Sequence, residues 1–403
     1  MNDTPSQALC RRLETFLGGG RCFLLAKGRV GLYVGLRALG LPRGSTVLMP
    51  GYTCMVVPSA VQFAGLKPAY ADIDPDTYNI DPDRLEAVAP GDVSALIVQH
   101  TYGIPCDMTA MQRWADSRGI PLIEDCCHAF GTRIDGRLCG AFGAFAFMSG
   151  QWSKPFSTGL GGMLLVNDPV LADRVGRLID EEAAAPGSLR NLLLGTQIVA
   201  HRWLVRPSTA GRITQWYRAL SHLGLAIGSS SNRELSGVMP AGYLTTMAPC
   251  QIQRGLCEMA HIDENIRHRK KLTGFYQREL PRIGFAPLAR GGADEWPLLR
   301  YPVRVRNKAQ VLSLAINAGV EIGSWFEVAL HPAGTKMEDF GYAAGTCPEA
   351  ESACRQVINL PTHLKVDQAT AERTLEFLRK HAVPVGCECV GEDNDGLAEP
   401  RHG

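Results

Sequence analysis

The sequence contains no apolar run of 18 or more residues and no excess of one charge. A membrane-spanning helix needs about 20 consecutive apolar residues, so no membrane span is predicted. Lysine and arginine number 41, against 40 for aspartate and glutamate. Because this near-balance gives no reason to expect a basic surface, we expect small molecules rather than nucleic acid as partners.

Met1–Leu17 lacks the basic start and the apolar run of a secretory signal. Without such a signal, the 13 cysteines predict reduced thiols in the cytoplasm. Cys387 and Cys389 form a Cys-Glu-Cys pair in a polar C-terminal stretch, but no second pair or histidine cluster lies nearby in the sequence. We therefore predict no metal site.

Strand and helix signals alternate between about Arg29 and Asp180. Apolar residues at helical spacing predict helices at 31–39 and 55–64, and Asp107 and Gly119 are typical caps of a third helix at 108–118. Short apolar runs predict strands at 46–49, 68–73, 95–99, 121–125, 144–148 and 163–166. Such alternation predicts an α/β domain with three layers and a mainly parallel sheet.

This alternation stops at about 183–240, where apolar residues predict a helical insertion of two amphipathic helices separated near Pro207. Packing of the insertion on its own subunit or on a dimer partner is the preferred interpretation, and binding to a membrane surface is the alternative. One long charged helix is predicted at 252–280, followed by strands and helices of a smaller α+β domain. The predicted division is a large domain at 1–250, a small domain at 251–383 and a disordered tail at 384–403.

The segment Leu122–His128 carries the clearest chemical signal. Asp125 ends a predicted buried strand, and open α/β sheets bind ligands at the carboxyl ends of their strands. Lys154 follows the next predicted strand and precedes the glycine-rich segment Ser157–Gly162. Pyridoxal phosphate (PLP) requires an amine that forms an imine with its aldehyde and a carboxylate that keeps its ring nitrogen protonated.

Each of these residues is common in other roles. A strand-end aspartate is more often a cap or a loop residue, and a single lysine is usually solvated. His128 alone is more often a hydrogen-bonded polar residue, and Ser149 alone would be a turn or a cap. Their order and their strand context make the combination much more specific than any one of them.

With these residues the chain resembles the nucleotide-sugar aminotransferases of the DegT/StrS type, which are fold-type-I PLP enzymes. The resemblance runs from about Gly28 to His363 and is weakest in the insertion. It rests on the following stretches: Pro50–Thr53, Asp72–Asp81, His100–Gly103, Ile123–Asp125, Ser149 with Lys154, Ser157–Gly162, Gly242–Tyr243 and Leu360–Pro361. The resemblance implies the aspartate-aminotransferase-like fold and a homodimer.

The resemblance also implies roles for single residues. Lys154 would hold PLP as a Schiff base and shuttle protons, Asp125 would pair with the pyridinium nitrogen, and His128 would contact the 3-oxygen of the ring. The other residues expected around the cofactor are Gly28, Arg29, Val30 and Ser149 at the phosphate and Cys54 at the ring. His331, from the small domain, is expected on the substrate side, and a loop histidine exposed to water is the alternative. Trp152 is expected to line the pocket because it lies close to Lys154 in the sequence. Trp325 and Phe326 would pack against a base or sugar, or fill the core.

Three residues depart from the family pattern. Arg29 stands where the family usually has a small threonine or serine, and a guanidinium there would contact the phosphate of the cofactor or of the substrate. Cys54 stands where an aromatic residue commonly stacks on the ring. Leu244 stands where the family often presents an asparagine to the phosphate of the neighbouring subunit. These departures leave the predicted Asp125 and Lys154 chemistry unchanged.

The leading hypothesis is transfer of an amino group from glutamate or glutamine to a nucleotide-linked keto-sugar, in two halves with pyridoxamine phosphate (PMP) between them. A cyclitol or another ketone is an open alternative as acceptor. A PLP-dependent lyase is a second hypothesis, because Asp-x-x-His followed by a lysine also occurs in such enzymes. A non-catalytic relative is a third, although a regulator would not need Lys154.

Overall fold

The computed structural model describes residues 3–88, 91–204, 226–289 and 295–385, together with 209, 213, 216 and 217. Most of the second helix predicted for the insertion lies outside the described residues, as does 386–403 of the predicted tail, including Cys387 and Cys389. Pro384 is described, and it pairs with Val305 in an isolated antiparallel bridge.

The N-terminal part of the chain alternates strands and helices. In order, its main elements are α1 (Pro5–Leu17), β1 (Arg21–Leu25), α2 (Gly28–Leu39), β2 (Thr46–Pro50), β3 (Thr53–Cys54), α3 (Val56–Phe63), β4 (Lys67–Ala71), α4 (Leu85–Val88), β5 (Val93–Gln99), α5 (Met108–Arg118), β6 (Leu122–Asp125), β7 (Arg133–Ile134), β8 (Arg137–Leu138), β9 (Phe145–Gln151), β10 (Leu160–Val166) and α6 (Pro169–Glu182). The predicted caps of α5 are confirmed, because the Asp107 side chain accepts from the Ala110 N–H and Gly119 has φ 61°.

The C-terminal part is mainly helical. Its elements are α7 (Ser188–Leu204), α8 (Asn232–Leu235), α9 (Pro249–Ala260), α10 (Ile262–Glu279), β11 (Arg300–Arg304), α11 (Lys308–Ala318), β12 (Leu330–His331), α12 (Pro348–Gln356), β13 (Val357–Pro361) and α13 (Gln368–His381). The prediction of one helix over 252–280 is wrong. The chain leaves helical geometry at His261, which has φ −118° and ψ 11°, and the two halves pack on different partners, α9 on α1 and α10 on α13.

Seven strands form the central sheet, in the order β1-β10-β9-β6-β5-β2-β4. The pairs from β9 to β4 are parallel, and β10 alone runs antiparallel to both of its neighbours. The predicted α/β fold with a mainly parallel sheet is therefore confirmed.

Alternating side chains of the central strands pack into different apolar clusters. In β5, Ala95 and Ile97 belong to one cluster and Leu96 and Val98 to another. In β10, Leu164 and Val166 point into the first cluster, and Met163 and Leu165 point into a third that includes residues of α1. Successive strand residues face opposite sides of a sheet, so both faces are covered and the layers number three.

The C-terminal elements include a two-stranded antiparallel sheet of β11 and β13. The short strand β12 instead pairs in parallel with β3, so that Leu330 lies opposite Thr53 and His331 opposite Cys54. This pairing, which we call the β3–β12 seam, joins the C-terminal part to the segment that follows the central strand β2. The division at residue 250 stays a prediction.

Candidate active site

Strands β5, β6 and β9 are parallel neighbours and present their carboxyl ends at one edge of the sheet. Asp125, the last residue of β6, lies opposite Gln99 of β5 and Phe147 of β9. Gln99 is held by Thr53, whose hydroxyl donates to its side-chain oxygen over 2.7 Å. The edge is therefore an ordered polar surface at the place where such sheets bind ligands.

The Asp125 carboxylate is buried, and its Oδ1 accepts a hydrogen bond of 2.9 Å from the Cys127 N–H. Burial raises the pKa of Asp125 above its ordinary value, whereas the Cys127 bonds and the charge of Lys154 act in the opposite direction. A cation beside this carboxylate therefore helps it to stay ionised.

Lys154 is also buried, in the turn after β9, where its N–H donates to the Gln151 carbonyl over 2.9 Å. Burial lowers the pKa of the Lys154 ammonium, and the charges of Cys127 and Asp125 oppose that shift. Asp125 and Lys154 are thus close enough for each to affect the pKa of the other. A buried lysine with a lowered pKa has more of the neutral amine that attacks a carbonyl group.

The third residue predicted around the cofactor ring, His128, is positioned by Tyr102. The Tyr102 N–H donates to His128 Nδ1 over 3.1 Å, so the neutral imidazole carries its proton on Nε2. Burial, followed by repulsion from Lys154 and Arg300, lowers the pKa of His128 well below its ordinary value. Tyr102 has φ 59°, a left-handed geometry that costs about 1–3 kcal/mol in a non-glycine residue. His128 is therefore held as a neutral hydrogen-bond donor.

The residues predicted around a phosphate also lie together. Helix α2 begins at Gly28, and its N-cap, Lys27, makes no side-chain capping bond. A Cβ on Gly28 would come within 2.8 Å of the Met148 carbonyl and 3.3 Å of Ser149 Cα. Glycine thus permits the start of α2 to lie directly against Ser149, in an arrangement that suits a phosphate. The Val30 N–H, which was also predicted at the phosphate, donates to the Lys27 carbonyl over 3.1 Å, so its contact with a phosphate stays a prediction.

The side chain of Arg29, also expected at the phosphate, is held by residues of the insertion. Its guanidinium donates to Glu234 over 2.9 Å, to the Ser230 hydroxyl over 3.0 Å and to the Ser229 carbonyl over 2.8 Å. Lys27 lies 3.6 Å from the same Glu234 carboxylate. The Arg29 side chain therefore has protein partners at the start of α2, and a contact from it to a phosphate stays a prediction.

The C-terminal part supplies the opposite wall of the site. The Trp325 ring stacks on His128 at 5.6 Å between centroids, and Lys154 Nζ lies 4.9 Å from the centre of the same ring. His331 lies next to Trp325 and Phe326, with ring centroids at 6.1 and 5.6 Å. The structure therefore brings the predicted substrate-side residue His331 to the same place as Lys154, His128 and, through the seam, Cys54.

Trp152 has different neighbours. Its indole stacks on His201 of α7 at 4.7 Å and packs in a small apolar cluster with Leu160, Leu194 and Ala248. These contacts belong to the base of the insertion, and a role for Trp152 toward a substrate stays a prediction. Leu244 is buried in the main apolar cluster.

Sequence reasoning missed two features of this wall. Arg300 places its guanidinium carbon 4.9 Å from the centre of the Trp325 ring. Tyr52 and Tyr102 share a hydrogen bond of 2.7 Å, and Tyr102 also donates to the Trp325 carbonyl. The only available signal for Arg300 was a charge within the apolar run Leu298–Tyr301. Tyr52 and Tyr102 lie in stretches that carry the family resemblance, but no local signal predicted their contacts, because these join segments distant in sequence.

One buried group resembles a metal-ligand set but has a structural explanation. His100, Glu124 and Cys126 have potential ligand atoms within 4.8 Å of one another. Glu124 already accepts hydrogen bonds from the backbone N–H groups of Gly140, Phe142 and Gly143 and contacts His100 Nε2 at 3.2 Å. This carboxylate fixes the loop between β8 and β9, below the strand end that carries Asp125.

Among the described residues, no helix has both the length and the apolar character to span a bilayer.

Comparison with known proteins gives the fold and the family. The solved structure of NtdA from Bacillus subtilis with bound cofactor PMP superposes with a TM-score of 0.69 at 22% identity, over 94% of this chain and 77% of that one. At this identity the likeness shows the fold alone.

Two curated relatives are informative. A UDP-2-acetamido-2-deoxy-3-oxo-D-glucuronate aminotransferase of Pseudomonas aeruginosa is 26% identical over 89% of this chain and 86% of its own length. An L-glutamine:2-deoxy-scyllo-inosose aminotransferase of Streptomyces kanamyceticus is 34% identical over 50% of this chain and 48% of its own length. The chain spans about half or less of the length of the first curated relatives that it matches.

The profile of the DegT/DnrJ/EryC1/StrS aminotransferases matches residues 4–195 and 208–379. This range includes both walls of the site and most of the chain. The resemblance found in the sequence is thereby confirmed, and the chain belongs to the DegT/DnrJ/EryC1/StrS aminotransferase family.

Proposed function

We propose that the protein is a PLP-dependent aminotransferase that moves an amino group from glutamate or glutamine to a nucleotide-linked keto-sugar. The observation that carries this proposal is the buried pair of Asp125 and Lys154 at the carboxyl edge of the sheet, beside the start of α2. When bound, PLP supplies an aldehyde and a ring that accepts electrons. The residues at this edge fit both ends of such a group.

Each residue has a separate task. Lys154 provides the amine that holds the cofactor and carries protons at its Nζ. The Asp125 carboxylate keeps the ring nitrogen protonated, and His128 donates from Nε2. The N–H groups at the start of α2 and the Ser149 hydroxyl hold the phosphate, with a helix-end contribution of about 0.3–1 kcal/mol. Trp325 and Phe326 close the other side of the site and exclude water.

The acceptor class follows from the relatives. The Pseudomonas relative acts on a nucleotide-linked keto-sugar acid and the Streptomyces relative on a deoxy-inosose, so both acceptors are ring ketones. NtdA was solved with PMP, the form of the cofactor that carries the amino group between the two half-reactions. Ping-pong kinetics are therefore expected.

The test is a two-step incubation of PLP-loaded protein. Glutamate or glutamine should convert the bound PLP absorbance to that of PMP, and a ketone from a panel of keto-sugar nucleotides and inososes should restore it and gain nitrogen by mass. If no donor changes the spectrum, transamination is excluded. Release of sulfide, alanine or an aldehyde would instead support the lyase alternative.

We also propose a homodimer. The exposed residues Leu189, Leu192, Val199 and Trp203 recur on α7 at helical spacing, and Leu192 and Trp203 are 62% and 70% exposed. Leu194 packs the other side of α7 on its own subunit. A second subunit is the occupant that we propose for the exposed stripe. Light scattering should give twice the chain mass; a monomer that floats with liposomes would favour a membrane surface.

The proposed location is the cytoplasm. In the described part of the chain, every cysteine is a free thiol. Several of these thiols are buried, and Cys126 and Cys127 adjoin Asp125. Reduced thiols are the norm in the cytoplasm. Thiol titration of the protein isolated under an alkylating agent would show disulfides if the location were oxidising.

A further inference from the structure

Arg300 lies in the site beside the predicted reactive lysine. Its guanidinium carbon and Lys154 Nζ are each 4.9 Å from the centre of the Trp325 ring. His128 stacks on the same ring at 5.6 Å. One indole therefore contacts a permanent cation, the amine and the histidine, and the charge of Arg300 acts on Lys154.

The charge of Arg300 is not balanced by an acid in the site. Glu321, the acid that acts on it electrostatically, is engaged by a hydrogen-bond contact with His363 Nε2 at 3.0 Å. Within the described ranges, no carboxylate lies within ion-pair distance of Arg300. A guanidinium stays protonated at all ordinary pH values, so a partly buried one favours an anionic partner.

Arg269, a buried arginine of the same region, has a structural role and serves as a comparison for Arg300. Arg269 donates to Asn265 Oδ1 over 2.8 Å, to the Leu299 carbonyl over 3.0 Å and to the Thr362 hydroxyl over 3.1 Å. These bonds fix the segment that leads into β11. Arg300, in contrast, is held by stacking on Trp325, which leaves the edge of its planar group available to a ligand.

We propose that Arg300 binds a carboxylate of the compound that reacts at Lys154, an inference that rests on the proposed function. A planar guanidinium matches the two oxygens of a carboxylate. Arg300 and the reacting amine contact the same indole, so one ligand that lies along this ring can reach both. A nucleotide diphosphate is a weaker fit, because the sugar ring separates it from the ketone. The carboxylate comes from the amino donor or from an acidic keto-sugar.

The backbone opposite Arg300 leaves room for its side chain. A Cβ on Gly323 would come within 2.3 Å of Arg300 Nη1. Gly323 is fixed by two hydrogen bonds with the backbone of Asn359, of 2.8 and 2.9 Å. A Gly323→Ala variant would therefore displace the guanidinium without removing its charge. It tests whether the position of the guanidinium matters as well as its charge.

The test compares Arg300→Gln, Arg300→Lys and Gly323→Ala with a control on the same strand. Arg304 donates to Gln356 and to the Pro75 carbonyl, and Arg304→Gln serves as that control. Single-turnover kinetics measure each half-reaction separately. If the carboxylate belongs to the donor, Arg300→Gln should raise the half-saturating glutamate or glutamine concentration at least tenfold. Arg300→Lys and Gly323→Ala should give smaller increases.

A second readout does not need the cofactor. Binding of glutarate to PLP-free protein, measured by calorimetry, should be lost in Arg300→Gln and kept in Arg304→Gln. An effect confined to acceptors that carry a carboxylate would assign the group to the keto-sugar and equally support the proposal. If both half-reactions and glutarate binding stay within twofold of the unmodified protein, the proposal is overturned. If the unmodified protein transfers no amino group, the proposed function fails, and glutarate binding still decides the role of Arg300.

Discussion

The two walls of the site differ in how they are built. The central-sheet wall places Asp125, His128 and Lys154 on strand ends and turns that are close in sequence. The opposite wall, with Arg300, Trp325 and His331, is brought to them by chain segments more than a hundred residues away. In the proposed function, the central-sheet wall (the local wall) carries the cofactor chemistry and the opposite wall (the distant wall) selects the substrate.

The largest effect is expected for Lys154→Ala, which tests the local wall directly. Loss of the amine should lower kcat by about 10²–10⁴-fold or more, because both the covalent link and the proton carrier are removed. Borohydride treatment followed by mass analysis should find no trapped cofactor. Lys271→Ala, on the exposed face of α10, is the control and should keep full activity.

The second-largest loss of activity is expected for substitutions of Asp125. Asp125→Asn keeps an oxygen for the Cys127 N–H but removes the charge, and the loss in kcat/KM should correspond to about 3–5 kcal/mol, by analogy with a broken buried ion pair. Asp125→Ala should lose as much activity and some thermal stability. Nearly normal kinetics in the asparagine variant would contradict the assigned role.

A pH profile measures the electrostatics of the same wall. Burial lowers the pKa of Lys154, so the rate of covalent PLP capture should reach half its maximum below pH 10.5, the ordinary value. Below that midpoint the neutral amine, and with it the rate, falls about tenfold per pH unit. Because the Asp125 charge opposes the lowering, Asp125→Asn should move the midpoint to still lower pH. A midpoint at the ordinary value would show that Lys154 is solvated.

The smallest effect is expected for His331→Ala on the distant wall. His331 contacts Trp325 and Phe326 on the substrate side, so KM for the acceptor should rise about three- to tenfold with kcat nearly unchanged. A large fall in kcat would instead give His331 a part in proton transfer, and the division of labour between the walls would fail.

The difference between the local wall and the distant wall also explains which features could be predicted from the sequence. The strand ending at Asp125 and the caps of α5 follow from local patterns, and the structure has them where they were expected. The break at His261 had no such signal, because helical spacing continues through it and only the different packing of α9 and α10 separates them.

Arg300 and the partners of Arg29 depend on contacts between distant segments. Glu234 lies about two hundred residues after Arg29, and nothing in either segment specifies the other. The sequence therefore predicted that Arg29 lies near the phosphate but not that a carboxylate would already engage it. Local periodicity predicts elements and strand-end motifs, whereas pairing across the fold depends on tertiary packing.

The β3–β12 seam constrains how the enzyme can admit its substrates. The Thr53 N–H donates to the Ala329 carbonyl and the Met55 N–H to the His331 carbonyl, over 3.0 and 2.9 Å. If the N-terminal and C-terminal parts of the chain separated at the seam to open the site, these two hydrogen bonds would break at every turnover. Substrates then enter more easily by movement of side chains alone, with the seam intact. In that case the Met55 amide should exchange slowly with deuterium even during catalysis.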